Sequence, residues 1–356
     1  MAGRQICVTM CVLLVMGTLL KADNKKETLE EQARRIHQSA VICDLHADSF
    51  TVVHLKKADF IKGSSLLQID VPKLRAGNVA LTSQAIWVLN KGLTTTPLKY
   101  VLSALDTFDK TMKEGASHLQ LVRGYKEFLE ARQNGKIAVV LTIENGSAIM
   151  GKIEILRMFY ERGVRGMSLT WNKNNEIGTS AWEARHKKGI GLSKFGREAV
   201  SEMERLGMMI DISHASSQTV KDVLDTVKAP IYASHSCAYG VCPHWRNIGE
   251  RQVKAIAERG GVIGVNFYSA HLRKDRKRAS AKDIADHIDY LVKIGGVDVV
   301  AIGSDYDGDI GVPKGIDNIS KLEVLTLELL KRGYSEEDIK KILGGNFLRF
   351  FREVCP

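Results

Sequence analysis

Proline is scarce: only 6 occur in 356 residues, alongside 31 glycines, and no low-complexity tract interrupts the chain. That composition argues for packed regular structure and against disorder. Cysteine is scarce too. Cys7 and Cys11 sit in an N-terminal apolar run, and the remaining Cys43, Cys237, Cys242 and Cys355 are too few for a disulfide scaffold in so large a chain. Their spacing leaves any pairing open. Long apolar stretches are absent apart from Ile6–Leu20, which carries no charge, follows Arg4 and precedes Lys21, Asp23, Asn24, Lys25 and Lys26. This run is short for a membrane span and suits the apolar core of a secretory signal. Ala22, with Leu20 two residues before it, supplies a cleavage site. Residues 1–22 are therefore expected to leave as a signal peptide, with the protein exported to the periplasm or secreted; an uncleaved anchor is the alternative. Neither early cysteine follows a small residue in the lipoprotein manner, and no hydrophobic tail precedes Pro356, so no stable lipid anchor is expected.

The formal charge is +10, but the basic residues are scattered. The densest run, Arg273 to Arg278, lacks interleaved aromatics. No nucleic-acid partner is expected. With 44% hydrophobic residues, the chain is long enough to bury a large core, and residues 23–356 read as a single domain.

A charged amphipathic helix is predicted over about Lys26 to Ser39. Eight strand-like runs follow, at Val41–His46, Val79–Val88, Ile137–Glu144, Val164–Trp171, Met208–His214, Pro230–His235, Val262–Phe267 and Asp298–Asp305. Between them, Gly163, Gly207, Gly260 and Gly295 stand where helices must turn left-handed to end. Alternation of this kind implies parallel β/α units, and eight units imply an α/β fold, a (β/α)8 TIM-like barrel. An open doubly wound sheet is the alternative. No glycine-rich phosphate loop follows the first strand, which weighs against a nucleotide-binding version. Pro97 to Gln133 holds more helix than one crossover needs, so an extra helix is expected there.

The stretch VICDLHADSF, from Val41 to Phe50, ends a buried strand in a histidine crowded between acids. On an extended backbone His46 and Asp48 point the same way. A lone HxD is weak, and a solvated strand end is its ordinary explanation. The other strand ends change the odds: Glu144, Trp171 and Asn172, His214, His235, Asn266 and Asp305. In a β/α barrel these ends meet at one mouth. Unpaired carboxylates there would repel each other, and a bound cation removes that cost. Histidines mixed with carboxylates suit borderline divalent ions, zinc first. The candidate ligands are too many for one tetrahedral ion, so two ions bridged by a carboxylate are more economical.

These strand ends and their flanking words resemble the membrane dipeptidase (renal dipeptidase) family of zinc peptidases, metal-dependent hydrolases of the same barrel type. The matching words are DLHADS from Asp44, IDVPKLRAGNV from Ile69, TIENG from Thr142, GLSKFGREAV from Gly191, MMIDISHAS from Met208, APIYASHSCAY from Ala229, RNI from Arg246, GVNFY from Gly264 and GSDYDG from Gly303. The resemblance implies a dipeptidase that uses a metal-bridging hydroxide and accepts a D-residue at the C-terminal position. It implies two Zn2+ per chain: the first on His46 and Asp48, the second on His214 and His235, with Glu144 bridging. It further implies that Arg246 grips the substrate carboxylate and that Asp305 holds the amino group and passes a proton to the departing amine, with Asp307 as the rival acid. Tyr268 would line the pocket. Relatives are often dimers, so a homodimer is possible. Where animal members carry a substrate-binding histidine after Leu-Thr, this chain has Trp171, which can donate one hydrogen bond but cannot exchange a proton near neutrality. Cys242 stands where some relatives have a bridged cysteine, but its partner has no counterpart here, so that disulfide is not carried over. Two other readings remain: a dizinc amidohydrolase acting on a lactam or cyclic amide, and a non-catalytic binding protein.

Overall fold

The computed structural model describes residues 27–89, 95–186 and 189–356. The expected signal peptide, with Cys7 and Cys11, lies outside the described residues. The first helix spans Leu29–Ser39 and begins after Lys26 because Thr28 takes its N-cap. Thr28 Oγ1 accepts from the Glu31 amide at 3.2 Å, and Glu31 Oε2 accepts from the Thr28 amide at 2.9 Å. Two otherwise orphaned donors are satisfied reciprocally.

The apolar runs become strands β1 (Ile42–Ala47), β2 (Val79–Trp87), β3 (Leu119–Leu121), β4 (Ile137–Glu144), β5 (Val164–Ser168), β6 (Met209–Asp211), β7 (Tyr232–Ala233), β8 (Val262–Val265) and β9 (Val300–Ile302). All pairings are parallel, in the order β1-β2-β4-β5-β6-β7-β8-β9. The ends of that order meet. Ala47 bridges Tyr306, the Asp48 amide donates to Tyr306 O at 2.9 Å, and the Asp305 amide donates to His46 O at 3.0 Å. Asp44 reinforces the seam by accepting from the Ser304 amide at 2.8 Å and its hydroxyl at 2.6 Å. The result is a nearly closed barrel of eight parallel strands with helices around it, an α/β fold of the TIM-barrel kind.

Several local expectations are refined: the strands expected over Val164–Trp171, Pro230–His235 and Asp298–Asp305 are shorter, at Val164–Ser168, Tyr232–Ala233 and Val300–Ile302. The extra helix expected over Pro97 to Gln133 is present, since helices Pro97–Glu114 and Tyr125–Gln133 both lie there, and the unexpected strand β3 stands between them. β2 occupies one edge of β4 along its length, so β3 pairs on the other edge at Ile137–Val139 before β5 takes over from Leu141. Gly295 does not end its helix in a left-handed turn. It is the last residue of helix Ala281–Gly295, and Gly296 makes the turn at φ 82°, as Gly163, Gly207 and Gly260 do for theirs. The strand predicted over Met208–His214 leaves its ladder at Asp211, whose carboxylate accepts from the Ser213 and Ser234 amides at 2.9 and 3.0 Å. Side-chain oxygen replaces backbone partners there.

The strands are buried on both faces, as a parallel sheet covered by helices must be. Helix Asn346–Val354 brings Phe347, Phe350 and Phe351 against Cys43, Leu81, Ala138, Met209 and Val262 near the strands' first residues. It thus covers the barrel end remote from the strand C-termini. Glycine is required where strands crowd: a Cβ at Gly303 would lie 1.8 Å from Ser234 O. Cys43, Cys237, Cys242 and Cys355 are all buried and unbridged.

Candidate metal centre

β1 delivers His46 as its penultimate residue, and Asp48 holds the N-cap position of helix Ser49–Lys56 immediately after it, its carboxylate making no capping hydrogen bond. Glu144 is the last residue of β4. His214 and His235 follow β6 and β7 by a few residues, and Asp305 follows β9. Parallel strands with one polarity carry all of these side chains to one end of the barrel. Backbone strain collects there as well. His214, Asp305, Asp307 and Asp309 have φ between 56° and 68°, and Asn145 has φ 88°, although none is glycine. Such conformations persist where the surrounding structure holds them, commonly at functional sites.

The side chains converge tightly. Glu144 Oε1 lies 3.0 Å from His214 Nε2 and 3.4 Å from His235 Nε2. Its other oxygen lies 4.0 Å from His46 Nε2, which is 3.5 Å from Asp48 Oδ2. Ligand-type atoms of His46, Asp48 and Glu144 fall within 4.8 Å of one another, and so do those of Glu144, His214 and His235. His46, His235 and Asp305 form a third such group, with Asp305 Oδ1 4.0 Å from His46 Nε2. The described residues around the mouth therefore include two groups that share Glu144.

Left alone, this cluster is electrostatically uncomfortable. Burial holds the Glu144 and Asp48 carboxyls well above the usual range, and neighbouring carboxylates, Asp48 for Glu144 and Asp307 for Asp48, push the same way. Asp305 is pushed up to about 7, by burial first. Burial, with Arg246 nearby, keeps His214 and His235 well below the ordinary histidine value and hence neutral. His46 Nε2 and Asp48 Oδ1 are buried without a hydrogen-bond partner. Neutral imidazoles, crowded carboxylates and orphaned acceptors are what a divalent cation would satisfy. The residues fit a metal.

Neighbouring groups set the imidazole orientations. His214 Nδ1 lies 3.2 Å from Asn172 Oδ1, an acceptor; a proton on Nδ1 would leave the Nε2 lone pair, 3.1 Å from His235 Nε2, for a cation beside Glu144. His235 Nδ1 lies 2.7 Å from Ser234 Oγ, which donates to Asp211 Oδ2 at 2.5 Å. With its proton given to Asp211, Ser234 Oγ is placed to accept from His235 Nδ1 in the same way. Sequence reading noted Asn172 without a role and missed Asp211 and Ser234. Their signal lies only in their places within MMIDISH and ASHS.

Arg246 is buried. Nη1 donates to Ser236 Oγ at 2.9 Å, Nη2 donates to His235 O at 2.9 Å, and Nε is buried without a partner. Asp305 accepts from Asn266 Nδ2 at 2.9 Å. Asp307 is occupied elsewhere, accepting from the Gln68 and Ile69 amides at 2.6 and 3.2 Å and from Ser49 Oγ at 2.6 Å. Above the cluster opens a cleft of about 500 Å³ that includes Asp48, Glu144, His214, Arg246 and Asp305, with Trp171 and Tyr268 on its walls. Trp171 stands edge-on to Trp87, ring centres 5.0 Å apart, and 6.2 Å from the His214 ring. The site thus joins candidate metal ligands, a buried guanidinium and a pocket of small-molecule size.

Comparison with known proteins agrees with this geometry. The family model for membrane dipeptidase, peptidase family M19, matches residues 30–355. The chain is 32% identical over 353 residues to an uncharacterized dipeptidase of Schizosaccharomyces pombe, spanning 93% of this chain and 84% of that protein. It is 32% identical over 356 residues to the dipeptidase aclJ of Aspergillus oryzae, spanning 94% of this chain and 82% of that protein. Among solved structures it resembles the metallopeptidase dipeptidase AC, with a TM-score of 0.81 at 25% identity, covering 89% of this chain and 99% of that one. With one buried cluster carrying the ligand-type residues and a match across nearly the whole described chain, this protein belongs to the membrane dipeptidase family, peptidase family M19, and is a metallopeptidase of the dipeptidase class.

Proposed function

We propose that this protein hydrolyses the peptide bond of dipeptides with two zinc ions, one on His46 and Asp48, the other on His214 and His235, and Glu144 shared between them. The observation that carries this reading is the division of Glu144: one oxygen faces His214 and His235, the other His46. Bound there, the ions would supply an activated water as nucleophile and Lewis acidity at the scissile carbonyl. The chain's own residues do the rest. Arg246 keeps a buried, unpartnered Nε–H, and a guanidinium so held suits the terminal carboxylate of a dipeptide. Asp305, beside His46 and steadied by Asn266, is the acid that holds the amino group and returns a proton to the departing amine. Asn172 and Ser234 orient the two imidazoles nearest Glu144. Holding both substrate ends fixes the bond between them and excludes longer peptides. A lactam or cyclic amide without a carboxylate would leave Arg246 unused, which favours the dipeptide. Acceptance of a D-residue at the C-terminal position belongs to the same reading, and the run Ile6–Leu20 supports export.

The test is metal removal. Chelated protein should lose hydrolysis of Ala-Ala and L-Ala-D-Ala, and zinc should restore both. Full activity after chelation would refute the metal reading.

A further inference from the structure

The chain has only four tryptophans, and all four line the cleft above the metal centre: Trp87, Trp171, Trp182 and Trp245. Each is half-buried, and the largest fully buried side chains of the core are tyrosines, phenylalanines and isoleucine. Half-burial is ordinary for an indole; what calls for a reason is that all four open onto the same cavity. The four come from separate places. Trp87 ends β2, Trp171 and Trp182 lie in the connection after β5, and Trp245 follows β7 and directly precedes Arg246.

They form two edge-on pairs. Trp87 and Trp171 are 5.0 Å apart at 69°, and Trp182 and Trp245 are 5.1 Å apart at 78°. The Arg185 guanidinium lies 3.7 Å over the Trp182 ring and 5.0 Å from that of Trp245, which holds the second pair in place. Tyr268 and His271, 4.7 Å apart, extend the aromatic wall of the same cleft. Indole faces around a pocket recognise flat apolar groups by burial and by edge-to-face contact.

Resting on the dipeptidase reading, we infer that this enzyme selects dipeptides bearing a bulky aromatic side chain, which the tryptophan-lined cleft receives. Small dipeptides would meet the same metal centre and the same Arg246 but leave the indoles wet. Selectivity is therefore carried by the walls and turnover by the floor.

Zinc-loaded enzyme should show a kcat/KM for Phe-Phe about tenfold or more above that for Ala-Ala. That ratio should fall about tenfold in Trp171→Ala and in Trp245→Ala, and Trp245→Phe should keep most of it. A ratio cancels losses of folded protein, so a merely structural defect would leave it unchanged. Binding has its own readout, since every indole borders the cleft. A reduced-amide analogue of Phe-Phe should shift tryptophan emission to the blue, and that of Ala-Ala should not. Equal rates for the two dipeptides, or a ratio unmoved in both alanine variants, would overturn the inference and leave the dipeptidase reading standing. An emission shift without hydrolysis of any dipeptide would support the aromatic cleft while removing the dipeptidase reading. Neither shift nor hydrolysis would overturn both.

Discussion

Glu144 Oε1 stands 3.0 Å from His214 Nε2, and the opposite oxygen of the same carboxylate faces His46 at 4.0 Å. One side chain thus belongs to both halves of the cluster, and the two halves should respond differently to mutation. Glu144→Ala is expected to lower zinc content at both positions, whereas His214→Ala should lower it from two per chain toward one. Elemental analysis of the purified variants decides between this and two independent sites. Both should lose about a hundredfold or more in kcat.

Asn172 and Ser234 touch imidazoles through the nitrogen that faces away from Glu144. Asn172→Ala and Ser234→Ala should weaken zinc binding by about ten- to a hundredfold while the fold persists. Competition with a chromophoric chelator measures this. Unchanged affinity would show that tautomer control here is incidental.

Arg246 is expected to act mainly in binding. Arg246→Ala should raise KM for dipeptides by about ten- to a hundredfold, the range for a lost hydrogen bond to a charged group, with a smaller effect on kcat. Arg246→Lys should rescue little, because a single ammonium cannot keep the Ser236 and His235 contacts and also serve the substrate. A lost kcat at unchanged KM would place the residue elsewhere in the mechanism.

Away from the site, Glu202 on helix Lys194–Leu206 accepts from Arg205 at 2.7 and 2.8 Å and from Arg157 at 2.7 Å. These hydrogen bonds, Arg205 first, pull its carboxyl down to about 2. The folded value is below the unfolded one, about 4.3. Its contribution is therefore complete above the unfolded value and is lost as pH falls through the folded one. The gap in Tm between the parent and Glu202→Gln should be steady from about pH 8 to 5 and narrow below that. A gap that widens in acid would contradict the assignment.

Much of this was legible before any coordinates. Strands buried on both faces leave uninterrupted apolar runs, so β1, β2 and β4 stand out in the sequence nearly at their observed limits. His46 and Asp48, Glu144, His214 and His235 were legible because each follows such a run closely. β3 was not, because three residues whose pairing depends on a vacant edge of β4 carry no periodic signal. Gly295 and Gly296 could not be told apart, since either could end the helix and only the backbone chooses Gly296. That Asp307 is tied to Gln68, Ile69 and Ser49, more than 200 residues away in the chain, carried no local signal either.

The amino-acid sequence by itself determined the β/α alternation, the polarity that sends strand ends to one mouth, and the kinds of side chain found there. Those properties are local: burial patterns, glycine turns and short words around each strand end. The tertiary structure alone decided that Glu144 divides its oxygens between two groups, that Ser234 links Asp211 to His235, and that four distant indoles share one cleft. Distances between strand ends depend on how the barrel closes, through Ala47 against Tyr306 and Asp44 against Ser304, and no stretch of the chain encodes that closure on its own.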